Sequence, residues 1–248
     1  MRGSRSGGGT CGFELAKQLQ ARGNTLIITG RNPERIEATR RALPGVQVFQ
    51  SDASDVQAIA ALHDQIVGQF PALDVLINNA GIMRNLSFTP CQALLDVTRE
   101  IDINLSGPIR MTERFLPHLA KRPGALLINV TSGLAFIPFT PAPIYSATKV
   151  ALHAFTQVLR AQLEGTGITV VELAPPGVET PLFRGEFEAE TKGQKGMEVA
   201  VLAARAIAGI EAGKLEIRPG LSNVLKIMSR IAPNFMFQQL TKASRPKR

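Results

Sequence analysis

The sequence predicts a single α/β domain: a Rossmann-type, doubly wound parallel sheet. Three observations predict it. Short apolar runs alternate with amphipathic runs of about ten to twenty residues, the pattern of βαβ units. Polar or glycine-rich turns directly follow the apolar runs, at Asp52, Asn78, Ser132 and Pro175. Ligands of parallel sheets gather at those carboxyl ends. A length of 248 residues, 44% of them apolar, suits one domain with a substantial core.

Residues 1–7 are Met, Arg, Gly and Ser and read as a disordered leader, leaving 8–248 as the domain. Gly8 and Gly12 open a helix over 14–22 that Gly23 ends. Bare N–H groups at such a turn suit a phosphate. Residues 25–29 predict a buried strand, and Pro33 sits in the first turn of a helix to Ala42. A strand over 46–50 ends at Ser51-Asp52. Asp55 caps a helix to Phe70, with Ile59, Leu62, Ile66 and Val67 on one stripe. The strand 74–77 runs into Asn78-Asn79-Ala80-Gly81. A helical segment through Leu94, Leu95 and Val97 leads towards Ile103 and Asn104. Pro108 and Pro117 begin or break turns around a helix over 109–119.

The strand 125–130 leads to Ser132, and the helix 145–164 follows. The strand 168–173 ends at Ala174-Pro175-Pro176-Gly177. Residues 183–197 are charged, carry little apolar pattern and read as a mobile substrate loop. A helix over 197–210, a short strand over 215–217 and an apolar-rich tail complete the chain.

Bulk properties exclude several function classes. No run of about eighteen apolar residues predicts a transmembrane helix, and the leader has no secretory h-region. Cys11 and Cys91 make neither a metal-ligand spacing nor a disulfide framework, and His63, His118 and His153 are scattered. A reducing, cytoplasmic setting is expected. The net charge of +8 is mostly terminal: without Arg2, Arg5, Lys242, Arg245, Lys247 and Arg248, 22 basic residues face 20 acidic ones. A nucleic-acid partner is therefore not expected, and contact of the basic C-terminus with a membrane surface is a minor alternative.

The chemistry centres on Tyr145, the only tyrosine, and Lys149. Four residues apart on a helix, they share a face. A phenol titrates near 10, and a neighbouring cation is expected to lower that value toward neutrality, where proton exchange works best. Ser132, at the end of a buried strand, is placed to hold a substrate oxygen against the phenol.

These residues resemble the short-chain dehydrogenase/reductase family. The turn Asn78-Asn79-Ala80-Gly81 is similar to the family's N-N-A-G. Asn104, Ser132, Tyr145 and Lys149 stand at its catalytic spacing. Pro175-Pro176-Gly177-Val178-Glu179-Thr180 resembles its P-G-x-V-x-T segment, with Pro176 in place of a glycine. The Ile82-Met83-Arg84 extension and the segment Glu216 to Gly220 resemble the DltE-like oxidoreductase subgroup.

The resemblance implies that Tyr145 exchanges the substrate proton and that Lys149 lowers its pKa and bonds the nicotinamide ribose. It implies that Ser132 binds the substrate oxygen and Asn104 holds a relay water. Asp52 and Ala53 would contact adenine, and Asn79, Ala80 and Gly81 its ribose. Pro175, Val178 and Thr180 would lie against nicotinamide. Gly30 and Arg31 stand where an NAD-binding carboxylate is usual; a guanidinium there suits a 2′-phosphate, so NADP(H) is expected over NAD(H). A small carbonyl or alcohol substrate and a homodimer or homotetramer, through the helices 104–120 and 145–164, are further implied.

The N-terminus departs from the family. No apolar strand precedes Gly8, and Glu14 stands where a third glycine belongs, so the phosphate turn is damaged. A strand absent between 25–29 and 74–78 would leave two ladders badly paired. The rival readings are a non-catalytic dinucleotide-binding or regulatory protein, or a chain inactive through its glycine turn. Phe136, Ile137, Phe139 and Phe183 suggest an apolar substrate lining.

Overall fold

The computed structural model describes residues 10–89 and 93–245. Gly8, Cys91 and the charged residues of both extreme ends lie outside them. Among the described residues, six short strands are interspersed with eleven α-helices. They are α1 (Cys11–Gln20), β1 (Ile27–Gly30), α2 (Pro33–Ala42), β2 (Gln47–Gln50), α3 (Val56–Gln69), β3 (Val75–Asn78), α4 (Leu94–Val97), α5 (Arg99–Ile101) and α6 (Gly107–Leu119), then β4 (Leu126–Val130), α7 (Pro143–Gln162), β5 (Thr169–Leu173), α8 (Pro181–Arg184), α9 (Val199–Glu211), β6 (Glu216–Ile217), α10 (Leu221–Ile231) and α11 (Pro233–Ala243). A π-helical turn, Asp102–Ser106, joins α5 to α6, and a 3-10 turn, Gly133–Ala135, follows β4.

All strand pairs are parallel, but the described strands form two sheets rather than one. One sheet is β1-β2; the other runs β3-β4-β5-β6. The amide of Gln47 bonds the carbonyl of Leu26, and that of Ser51 bonds Gly30, so the backbone of Leu26, Ile28 and Gly30 faces β2. Ile27 and Thr29 therefore face the other way. By the same alternation the amide of Leu126 on Asp74 turns Val75 and Ile77 away from β4. No described strand lies between these two inner edges. Side chains hold the halves together instead. Ile27 and Phe49 pack with Leu76, Phe115 and Leu127 under α3 and α6. On the other face α1 sends Ala16 to the β1 side and Leu15 to Val171, Leu173 and the β3 side.

Local chemistry accounts for the helix ends. Thr10, Asn32, Asp55 and Thr180 cap α1, α2, α3 and α8 through side-chain oxygens that accept backbone N–H bonds. Two expectations are corrected here. Pro117 does not end α6 but lies inside it, two residues from its end, and leaves the carbonyl of Glu113 without its usual partner in the helix. The apolar tail forms α10 and α11, and α10 packs on the 3-10 turn, where a Cβ on Gly133 would meet Ser222 Oγ at 2.8 Å and Leu225 Cδ1 at 3.2 Å. Leu221, Val224, Ile227 and Ile231 leave an apolar face of α10 exposed.

Candidate active site

The four proposed catalytic residues converge at the carboxyl end of β4. Tyr145 and Lys149 stand one turn apart on α7, with the Lys149 Nζ 5.6 Å from the phenol ring centre. The Ser132 hydroxyl lies near enough to the Tyr145 phenol to lower its pKa. Ser132 Oγ also accepts the Leu134 amide at 3.1 Å, which fixes the side chain at the mouth of the turn. Lys149 donates to the Val130 carbonyl at 2.8 Å, tying α7 to the tip of β4. Asn104 is fully buried in the π-helical turn, a device frequent at functional sites. Its amide clamps the Gly81-Ile82 turn, accepting from the Ile82 amide at 2.8 Å and donating to the Ile82 carbonyl at 2.8 Å. A Cβ on Gly81 would meet Asn104 Oδ1 at 3.3 Å, a tight contact that glycine avoids.

The electrostatics differ from the expectation. Burial pushes the Tyr145 phenol up to about 12, against the hydrogen bond from Ser132 that lowers it; Cys11 and Glu100 push it further up. Burial also brings Lys149 down to about 8. The cation does not acidify the phenol here, because both groups sit in a dry pocket that disfavours charge on either. Phe139, Ala142 and Phe187 pack around the phenol, with Met83 and Leu134 at the margin.

A network the sequence reading did not single out lies behind the site. Glu172, 1% exposed, is the only charged residue of β5. It accepts from Thr131 Oγ1 at 2.6 Å and meets His153 Nδ1 at 2.8 Å. Thr131 precedes Ser132, and His153 lies one turn beyond Lys149, so one carboxylate braces both walls of the site. Lys226 of α10 completes the chain, 3.4 Å from His153 Nε2 and 4.8 Å from the Phe136 ring centre. The signal for Glu172 was its isolation among apolar neighbours; its partners come from three other elements.

The proposed cofactor residues divide into two groups. Arg31 is exposed and, with Asn32, Gln50 and Asp52, lines an open recess of about 420 Å³ at the tips of β1 and β2. The Ser54 hydroxyl, with Arg31 nearby, holds the Asp52 carboxyl below its usual value. Ala53 lies beside Asp52, its carbonyl 2.5 Å from where a Gly107 Cβ would stand. Pro175, Val178 and Thr180 follow β5 and are buried; Pro175 accepts the Gly133 amide at 2.7 Å, and Thr180 Oγ1 donates to the Val178 carbonyl at 3.1 Å. These ends fit an adenosine phosphate and a ring.

The middle is tight. Gly12 lies against Asn79, whose Nδ2 a Cβ would meet at 2.6 Å. The cavity lined by Cys11, Asn79, Val130 and Pro175 is only about 10 Å³, room for about one water. Glu14 adds a carboxylate to the first turn of α1. Ala80 is exposed beside this constriction. The described residues here do not fit a pyrophosphate as they stand. Of the expected apolar lining, Phe139 reaches the phenol, whereas Phe183 packs on Gly177 and Arg184.

Comparison with known proteins bears on the whole arrangement. A family profile described as short chain dehydrogenase matches residues 6–191. The chain belongs to the short-chain dehydrogenase family. As a short-chain dehydrogenase it is similar to "Uncharacterized oxidoreductase DltE" of Bacillus subtilis, with 36% identity over 92% of this chain and 91% of that one. It is 34% identical to a serine 3-dehydrogenase of Agrobacterium fabrum over 70% of each chain. The fold matches a short-chain dehydrogenase from Sphingobium yanoikuyae solved in complex with NADPH, at TM-score 0.78 and 24% identity, covering 96% and 93% of the two chains. An oxidoreductase on a Rossmann-like scaffold therefore stands as the coarse identity. Among the described residues no helix is long and apolar enough to cross a membrane, and no three potential ligands cluster to hold a metal.

Proposed function

We propose that the chain is an NADP(H)-dependent oxidoreductase acting on a carbonyl or alcohol, with Tyr145 as its acid and base. The observation that carries this reading is the Ser132–Tyr145 hydroxyl pair with Lys149 one turn away at the tip of β4. A bound nicotinamide would supply or accept the hydride. In the reducing direction the phenol of Tyr145 would give its proton to the carbonyl oxygen and be left as a phenolate. The Ser132 hydroxyl holds that oxygen. Lys149 would bond the nicotinamide ribose and solvent would return the proton to Tyr145, with Asn104 holding the Gly81-Ile82 turn in place. Arg31, in its open recess, would receive a 2′-phosphate by charge-assisted bonds, which supports NADP(H) over NAD(H).

Tyr145→Phe separates an enzyme from a binding protein. Turnover is expected to fall by about 10²-fold or more, with NADPH affinity and circular dichroism unchanged. A variant as active as the wild type rejects the assignment. A second reading, a dinucleotide binder or an inactive chain, is favoured by the Gly12–Asn79 contact and the 10 Å³ cavity. NADPH fluorescence enhancement decides it: the chain contains no tryptophan, and no saturable signal below millimolar cofactor leaves only the inactive reading.

A homodimer or homotetramer in the cytoplasm completes the proposal. Ile109, Val150 and Val158 present exposed apolar side chains on α6 and α7, the helices expected at the subunit contact. Light scattering coupled to size exclusion reads the mass directly.

A further inference from the structure

The segment after α8 is rich in charge, with Glu186, Glu188, Glu190, Lys192 and Lys195, yet its one phenylalanine is completely buried. Phe187 packs with Phe139, at 5.9 Å between ring centres and 51° between planes, and with Ala142 and Tyr145. The segment is held on the outside by polar contacts alone. The Asn85 amide donates to Glu186 at 2.8 Å and its side chain to Glu190 at 2.7 Å. Arg184 pairs with Glu179 at 2.6 Å and donates to the carbonyls of Thr191 at 2.9 Å and Gln194 at 2.6 Å. The contacts of Asn85 and of the Gln194 carbonyl are exposed and hold weakly, whereas the Arg184–Glu179 pair is half-buried. Inside, a single apolar side chain plugs the space beside the one phenol of the protein.

We propose that Phe187 stands in the seat of the substrate's apolar group. The substrate is then an aldehyde, ketone or alcohol whose reacting carbon carries a compact ring or branched alkyl group about the size of a benzyl side chain. The inference rests on the oxidoreductase reading of Tyr145. Withdrawing Phe187 opens a cleft walled by Phe139, Ala142, Met83 and Leu134, with the Tyr145–Ser132 pair at its inner end. Apolar walls with one convergent polar pair bind such molecules and orient the oxygen. The exposed ties of the strap let it swing out without breaking the core.

Tyr145 is the only tyrosine in a chain without tryptophan, so its fluorescence reports this seat alone. The test uses the full chain, Phe187→Ala, and Phe187→Leu in case the alanine variant fails to fold, with circular dichroism as the fold check. Acrylamide is expected to quench Tyr145 at least threefold more strongly in the alanine variant than in the wild type, and to an intermediate extent in the leucine variant. Cyclohexylmethanol, refilling the seat, is expected to restore the protection, and glycerol at the same concentration is not. With NADP⁺ the wild type is expected to oxidise cyclohexylmethanol with a kcat/KM at least tenfold above that for L-serine.

Unchanged quenching in a folded variant, or no protection by cyclohexylmethanol, overturns the seat whatever the turnover. L-serine equal to or better than cyclohexylmethanol overturns the substrate class while the oxidoreductase reading stands. Protection without any turnover supports the seat and removes the enzyme reading instead.

Discussion

Lys149→Met isolates what a buried catalytic cation costs the fold. Lys149 is 4% exposed, and burial lowers its pKa from 10.5 to about 8. The unfolded chain binds this proton more tightly than the folded one, so between those two values stability rises with pH. At pH 7 the mismatch costs about 3 kcal/mol, and at pH 9.5 about 1 kcal/mol, taking about 1.36 kcal/mol per pKa unit. Methionine removes the charge at similar length and gives up the bond to the Val130 carbonyl, about 1 kcal/mol. The variant is therefore expected to be about 2 kcal/mol more stable than the wild type at pH 7. The two should lie within about 1 kcal/mol of each other at pH 9.5, a narrowing of about 2 kcal/mol. Urea denaturation followed by circular dichroism at both pH values measures it.

Taking the difference between the two proteins cancels groups they share. Cys11 is one: burial raises its thiol, which costs stability as pH climbs past its unfolded value. Tyr145 acts in the same sense, but only from its unfolded pKa of 10.0 up to its folded value of about 12, beyond the window used. A gap that stays constant or widens from pH 7 to 9.5 refutes the argument, as does a variant less stable than the wild type at pH 7.

Three other outcomes follow from the same geometry. Glu172→Ala removes the carboxylate shared by Thr131 Oγ1 and His153 and is expected to cost about 3 kcal/mol in urea denaturation; a loss under about 1 kcal/mol contradicts the bracing role. Arg31→Ala is expected to weaken NADPH binding by about tenfold or more while leaving NADH within about twofold, as read by fluorescence titration. Equal losses for both cofactors would remove Arg31 from the 2′-phosphate. Leu127→Ala, in the centre of the largest core cluster, is expected to cost about 3 kcal/mol without changing the Tyr145 fluorescence, and an altered fluorescence would mean that core and site are not separate.

Much of the site was legible because its residues obey simple placement rules. Ser132 and Asn78 follow apolar runs, so they had to stand at strand tips. Tyr145 and Lys149 keep the spacing of one helical turn. The split sheet was also readable, from the absence of apolar residues before Phe13. What was not readable depends on distant segments meeting. The direction of the Tyr145 shift was misjudged because the side chain that dries the phenol, Phe187, comes from a stretch whose composition is dominated by charge. The π-helical turn at Asn104 has no local signature, since Asp102 to Ser106 reads as ordinary helix. Glu172 stood out as a lone charge in β5, but nothing in the sequence pairs it with His153. The constriction at Gly12 arises from α1 settling onto Asn79, a packing outcome rather than a pattern.

The two inner edges at Ile27 and Thr29, and at Val75 and Ile77, divide the described residues into blocks that share oil but no backbone ladder. Amides at these four positions are expected to trade their hydrogens with solvent sooner than those of Ile28 and Leu76 beside them, whose partners are in place. The recess that holds Arg31 and the cleft that holds Tyr145 lie on opposite sides of that seam. A dinucleotide reaching from one to the other would have to act as a splint, making the grip on its two ends a measure of how firmly the halves are joined.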